Sequence, residues 1–315
     1  MTTRILFTIL ISWACGCSGA RAAADVPARF TEPLVEPPGE LAVCAERGRA
    51  ETPRRVAVTI DDLPWAGGVQ GDSAEARLAR LGDLCDTLRD RGVPATGFFN
   101  PANLQDEPAL VELWRGCGLT FGNHTWSHPR LREIGVDAYL ADLRRGHERV
   151  QEWAGDGAVV TFRYPYLSEG ASPEERDAIR DALRELQSPI VPVTIDTWDW
   201  LYARGWSDAM GAGDEPAIAR WIQAYRWNIE EATEQAEWLS DSLFGYEPPQ
   251  ILLLHANELN AVALGERLDW YSARGYEFIS VAEALADPAY AEYDASISPT
   301  GDSHWLRLRR SRTLP

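Results

Sequence analysis

The 315-residue chain contains no lysine; its 30 basic residues are all arginine, a bias of composition rather than of mechanism. It has no Cys-x-x-Cys pair, so zinc-finger and thioredoxin-type readings fail. No Gly-x-Gly-x-x-Gly follows an apolar run, and a dinucleotide-binding fold has no support. Long hydrophobic runs are missing as well: Ile5 to Trp13 is too short to span a bilayer as a mature helix. Positive charge is scarce, with 48 acidic residues and a net charge of −18. That balance argues against nucleic acid and anionic membrane surfaces as partners. Nothing in the sequence sets an oligomeric state.

The N-terminus reads as an export signal over residues 1–24. Arg4 precedes the short apolar run, and Ala20-Arg21-Ala22 and Ala22-Ala23-Ala24 supply small residues suited to cleavage. The expected location is periplasmic or secreted. A lipoprotein anchor at Cys15 or Cys17 is the alternative, although the residues before each cysteine fit a lipidation site poorly. The remaining cysteines, Cys44, Cys85 and Cys117, allow at most one disulfide. Cys85 falls on an apolar helix face; Cys44 and Cys117 pair only if the fold brings them together.

Residues 25–53 carry five prolines and read as a linker or a strap. A regular alternation then fills residues 54–288. Apolar or β-branched runs at 56–60, 94–99, 119–123, 159–162, 190–195, 250–254 and 276–280 are separated by helical patterns, as in Leu81, Leu84, Cys85 and Leu88. Repeated strand–helix alternation predicts a parallel α/β architecture. Polar residues cluster just past the strand ends, which favours a barrel that gathers those ends at one mouth over an open sheet. The expected fold is α/β, a distorted parallel (β/α) barrel of about seven strands with a helical insertion between strands five and six.

That insertion spans 201–249. Ile218, Trp221, Ile222, Tyr225, Ile229, Ala232, Ala236, Leu239 and Leu243 form one apolar stripe, with Asp214, Glu215 and Pro216 at its start. It reads either as a long helix packed on the barrel or as a cover beside the mouth, with Trp206, Trp221 or Trp227 against substrate. Residues 289–315, with Trp305 and an arginine cluster, form a C-terminal tail, either loose or strapped along the barrel.

Five blocks carry candidate chemistry. Asp61-Asp62 ends the first strand; alone, such a pair usually caps a helix or faces solvent. His124 and His128, in His-x-x-x-His spacing, place two imidazoles on one side of a helical turn, suited to a metal or to packing. One carboxylate and two imidazoles suit a divalent ion with open positions. Arg163 follows the fourth strand, where it can hold a carboxylate by a bidentate pair or form a structural salt bridge. Asp196-Thr197-Trp198-Asp199-Trp200 follows the fifth, and an aspartate there can fix an imidazole tautomer. His255 ends an apolar sixth strand. His147 reads as packed or solvated on a helix and His304 as surface.

These blocks, in this order, resemble the polysaccharide deacetylases of carbohydrate esterase family 4, the NodB-homology domain, over roughly residues 54–285. The resemblance implies Asp61 as general base and Asp62, His124 and His128 as metal ligands. It implies Arg163 as support for the base, Tyr166 as an oxyanion donor beside Pro165, Asp199 as partner of His255, and His255 as general acid. Trp198 and Trp200 would line the pocket. The implied activity is hydrolysis of N-acetyl groups on an extracytoplasmic glycan (peptidoglycan, chitin-like or exopolysaccharide). The implied cofactor is a divalent metal, most readily Zn²⁺, with Co²⁺, Mn²⁺ or Fe²⁺ as alternatives. This chain departs from the family pattern at Ile60, at Leu63-Pro64 and at Ala256-Asn257. The altered Leu63-Pro64 turn motivates a second reading, a small non-sugar amide or O-acetyl ester as substrate. A glycan-binding protein without catalysis is a third, against which intact Asp61 and His255 argue.

Overall fold

The computed structural model describes residues 53–64, 73–104, 108–291 and 301–313. The expected signal segment, Cys44 and Trp65 lie outside them. The strands are β1 (Arg54–Leu63), β2 (Ala95–Phe99), β3 (Thr120–Asn123), β4 (Thr161–Phe162), β5 (Ile195–Asp196), β6 (Gln250–His255) and β7 (Tyr276–Phe278). The helices are α1 (Ala74–Asp90), α2 (Pro108–Gly116), α3 (Leu131–Ile134), α4 (Val136–Ala154), α5 (Pro173–Glu185), α6 (Asp199–Ala212), α7 (Glu215–Phe244), α8 (Glu258–Ala273), α9 (Val281–Leu285) and α10 (His304–Thr313).

Every strand pairing is parallel, in the order β4-β3-β2-β1-β6-β5, with β7 on the first residues of β1. The fifth strand, expected over 190–195, is regular only at Ile195–Asp196. Its approach nevertheless closes the sheet. Ile190 bridges to Phe162 of β4, and Ile195 and Asp196 then pair with Leu252 and Leu253 of β6. One short segment therefore serves two neighbours in succession, which makes the barrel distorted and leaves β5 only two residues long.

The period-2 alternation of a strand decides what faces inward. Val56, Val58 and Ile60 of β1 and Leu252 and Leu254 of β6 pack outward against the helices. Ala57 and Ile251 join Phe98 and Val191 in a second cluster. Continuing the same alternation puts Thr59, Asp61, Leu253 and His255 on the face of Ala57 and Ile251. Helices start where short polar side chains accept orphan N–H groups: Ser73 from Ala76, Ser172 from Glu175, Asp214 from Ala217 and Asn257 from Asn260. Among the described residues no helix is long and apolar enough to cross a membrane.

The insertion is two helices rather than one. Chain 199–212 already forms α6, and α7 begins at the expected Asp214–Pro216 signal. Tyr225, Ile229, Ala236 and Leu239 of the predicted stripe are buried, which bears out the packed reading. Trp206 is also buried and Trp221 half-buried; Trp227 is exposed, on the opposite side of the stripe. On α1, Cys85 is core, and burial, with Cys117 nearby, pushes its thiol up; neither cysteine forms a disulfide among the described residues. A pairing of Cys117 with Cys44 falls outside the described residues.

The C-terminal segment is a strap. Trp305 is fully buried and donates to Gln250 Oε1 at 2.9 Å, while Arg312 donates to the Leu243 carbonyl at 2.7 Å. His304, expected at the surface, is buried instead, with its backbone N–H on the Val193 carbonyl and its ring stacked on Tyr290. Arg307 reaches the buried Glu169, which Arg180 also binds at 2.6 Å. Gly301 lies at φ +68 against the Tyr166 carbonyl, where a Cβ would sit 2.0 Å from the oxygen. The strap thus holds the loop after β4. Arg307→Ala is expected to destabilise the protein by about 2–4 kcal/mol, because it leaves Glu169 buried with half its compensation. Urea denaturation measures this, and an unchanged midpoint would count against the strap.

Candidate active site

The register between β1 and β6 sets Asp61 directly opposite His255. Alternation alone would turn Asp62 to the outer face. The strand prevents this with a bulge: Ile60 pairs with Gly97, but Leu63 pairs with Phe99, so β1 carries one extra residue. Asp62 takes the left-handed conformation at φ 61. Both carboxylates therefore reach the mouth. A positive φ on a non-glycine residue costs energy and persists where tertiary contacts impose it. His128 (φ 57), Tyr166 (φ 58) and Trp198 (φ 51) share this conformation, so the strain gathers on predicted site residues.

His124 follows β3 directly. The segment to Pro129 is not helical, contrary to expectation: Thr125 at φ 65 and His128 at φ 57 fold it into a tight loop. Thr125 Oγ1 accepts from the His128 N–H, and Asp142 of α4 accepts from Ser127 through both its backbone N–H and its hydroxyl. The two imidazoles still converge, with centroids 4.8 Å apart. The Arg163 carbonyl lies 2.8 Å from His124 Nδ1, which sets that nitrogen as N–H and leaves Nε2 as the donor atom. Nε2 of His124 and of His128 lie 3.5 Å and 3.2 Å from Asp62 Oδ1.

These three side chains form a group whose ligand atoms all lie within 4.8 Å of one another. Asp62 Oδ1 is buried without a hydrogen-bond partner, an orphan that a cation would satisfy. Burial lowers both imidazoles; the charge of His128 lowers His124 further, whereas Asp62 partly restores His128. Neutral imidazole is the ligand form, so donor set, spacing and protonation all fit a divalent metal.

α4 approaches this loop through Gly146. A Cβ there would meet Asn123 Oδ1 at 2.5 Å, Thr125 C at 2.7 Å and Trp126 N at 2.8 Å. Gly146→Ala is expected to displace the loop and weaken the affinity for an added divalent ion about tenfold. Competition with a chromogenic chelator reads this, and unchanged affinity would show that the loop absorbs the methyl.

Asp61 is buried. Its Oδ1 accepts from Arg163 Nη1 at 3.1 Å, and its Oδ2 lies 3.7 Å from His124 Nε2. Of the bidentate pair and the plain salt bridge, the structure has the salt bridge: Arg163 gives Asp61 one nitrogen, and the same Nη1 also donates to Thr59 Oγ1 at 2.8 Å while Nε serves the Val191 carbonyl. Burial pushes the Asp61 carboxyl up to about 7, against the pull of Arg163 and His255. His255 Nδ1 lies 2.7 Å from Asp199 Oδ1. Burial alone would lower this imidazole, but the Asp199 charge and hydrogen bond bring it to about 10. A carboxyl near neutrality and an imidazole held protonated thus face each other across a single strand pairing.

Tyr166 and Trp200 are exposed; Tyr166 meets His128 edge-on at 4.5 Å, and Trp198 lies 5.8 Å from Trp200. Pro165 is buried beneath the loop. His147 is buried on α4 and is not one of the clustered ligands. Thr59, Asn257, Asn260 and Tyr225 enter the hydrogen bonding around the site without having been expected there. Asn257 alone left a trace, as a departure from the usual residue after the final histidine.

Residues 48–191 match the family model described as polysaccharide deacetylase. A peptidoglycan-N-acetylglucosamine deacetylase of Listeria monocytogenes is 24% identical over 240 residues, covering 76% of this chain and 40% of that protein. The chain thus spans well under half the length of that relative. A peptidoglycan-N-acetylglucosamine deacetylase of Bacillus cereus is 24% identical over 213 residues, covering 67% of this chain and 68% of the relative. Among solved structures, a polysaccharide deacetylase from Bacillus cereus aligns with TM-score 0.51 at 21% identity, over 72% of this chain and 91% of that one. A family 4 pseudoenzyme from Bacillus anthracis aligns with TM-score 0.52 at 17% identity, over 75% of this chain and 66% of that one. Residues 48–191 thus resemble the polysaccharide deacetylases, and the fold is the one shared by solved structures of a polysaccharide deacetylase and of a carbohydrate esterase family 4 protein.

Proposed function

We propose that this protein is a metal-dependent deacetylase that hydrolyses the N-acetyl group of an N-acetylated glycan outside the cytoplasm. The observation that carries the reading is the flanking of one metal-ligand cluster by two differently tuned groups, Asp61 on Arg163 and His255 on Asp199. A divalent cation held by Asp62, His124 and His128, most readily Zn²⁺, would supply a Lewis acid for the amide carbonyl and for water.

The protein's own residues do the rest. Asp61 Oδ2, on the ligand side, accepts the proton as water attacks. Arg163, tied to Thr59 and Val191, keeps Oδ1 engaged so that the carboxylate cannot rotate away. His255 Nε2, opposite the nitrogen bound by Asp199, delivers a proton to the departing amine. Tyr166, Trp198 and Trp200 supply aromatic surface suited to stacking on sugar rings, and the strongly negative chain favours neutral or deacetylated glycans over acidic ones.

The test is acetate release from N-acetylglucosamine oligomers by chelated protein, before and after addition of Zn²⁺ or Co²⁺. Release that returns with metal is expected. No release with any metal, despite a tightly bound ion, would move the reading to a non-sugar amide or ester, or to a binding protein.

A further inference from the structure

In the proposed reaction Asp199 is a partner of His255. It is fully buried and, among the described residues, its one ion pair is with His255. A carboxylate so placed needs its lone pairs satisfied, or its burial is costly. Oδ1 takes the His255 imidazole. Oδ2 takes three neutral donors: the His255 backbone N–H at 2.7 Å, Asn257 Nδ2 at 2.7 Å and Asn260 Nδ2 at 2.6 Å. Neutral amides stabilise the anion without cancelling the charge the imidazole feels, which an arginine in their place would do.

Asn260 has no freedom in this arrangement. Its Nδ2 donates to Asp199 and to the His255 carbonyl at 2.9 Å, and its Oδ1 accepts from the hydroxyl of Tyr225. Flipping the amide would point Oδ1 at two acceptors. Tyr225 lies at the centre of α7, fully buried, and Asn228 one turn on donates to the carbonyl of Thr197, two residues before Asp199. The long insertion between strands five and six thus touches the acid's support at two points.

Building on the deacetylase reading, we propose that Asn260 and Tyr225 are positioning residues for His255. The insertion helix orients the Asn260 amide, the amide orients the Asp199 carboxylate, and the carboxylate holds the imidazole with Nδ1–H inward and Nε2 toward substrate. The insertion then sets the geometry of the general acid as well as covering the barrel.

The experiment uses Tyr225→Phe, which removes one oxygen, and Asn260→Ala, with Ile229→Val as a purely structural lesion of the same helix. The first readout is the His255 Nδ1–H proton in NMR spectra of the full-length, chelated protein, assigned by its absence in His255→Asn. A strongly deshielded signal is expected in the parent. It should move upfield and broaden in Tyr225→Phe and Asn260→Ala and stay in place in Ile229→Val. The second readout is kinetic: kcat for acetate release falls about fivefold in Tyr225→Phe and about fiftyfold in Asn260→Ala, with KM within about twofold. A parent-like signal and kcat in Tyr225→Phe would overturn the proposal, even if Asn260→Ala fails to fold. The NMR readout requires neither metal nor substrate. If the signal moves as expected but the parent releases no acetate, the deacetylase reading fails and the positioning network stands.

Discussion

Asp61→Asn is expected to lower kcat by about three orders of magnitude while the protein retains its metal. The carboxylate faces the ligand cluster through Oδ2 yet is not part of it; Asp62, His124 and His128 make up the convergent set. Asparagine preserves shape, and its oxygen can still accept from Arg163 Nη1, so the buried guanidinium is not stranded. What is lost is the ability to take a proton. Metal content and kcat measured on the same preparation separate the possibilities. A wild-type rate would place the base elsewhere; loss of metal along with rate would make Asp61 a ligand.

The second large effect belongs to His255. His255→Asn is expected to reduce kcat by about two to three orders of magnitude and to remove the alkaline limb of the pH–rate profile. The two roles have opposite signs. A base must be deprotonated, so activity rises with pH as Asp61 ionises; its carboxyl titrates near 7 in the metal-free protein, and a bound cation moves that limb lower. An acid must be protonated, so activity falls as His255 loses its proton near 10. The profile of the parent is therefore a broad bell, and that of the variant rises to a plateau. An alkaline limb that survives in the variant would assign the acid to another group.

The candidate site was legible because several blocks, each ambiguous alone, fall in order at the ends of apolar runs. An aspartate pair, two histidines four apart, an arginine, a buried aspartate and a terminal histidine each stand at the end of an apolar run, and a parallel barrel gathers its strand ends at one mouth. The α7 stripe was legible for a related reason: Tyr225, Ile229, Ala236 and Leu239 recur at helical spacing because one face must be buried. Where the reading erred, it assumed local regularity. The His124–His128 spacing suggested a helical turn, but two left-handed residues bring the rings together instead. Of the two readings of Arg163, a bidentate pair or a plain salt bridge, the second holds, with its fork divided among Asp61, Thr59 and the Val191 carbonyl. His304, placed at the surface for want of any motif, is buried because the C-terminal segment returns to the barrel as a strap.

The amino-acid sequence by itself determined the strand–helix alternation and placed the candidate Asp, His and Arg residues at the ends of apolar runs, since these depend on residue type and short spacing; their roles are what the family resemblance implies. Only the tertiary structure decided that Asp62 turns inward, because a bulge is a mismatch between two strands and one strand alone does not contain it. It alone brought Tyr225, Asn260 and Asp199 into one chain of hydrogen bonds. Asp199 and Asn260 lie 61 residues apart, and contacts at that separation are set by how whole elements pack rather than by any local pattern.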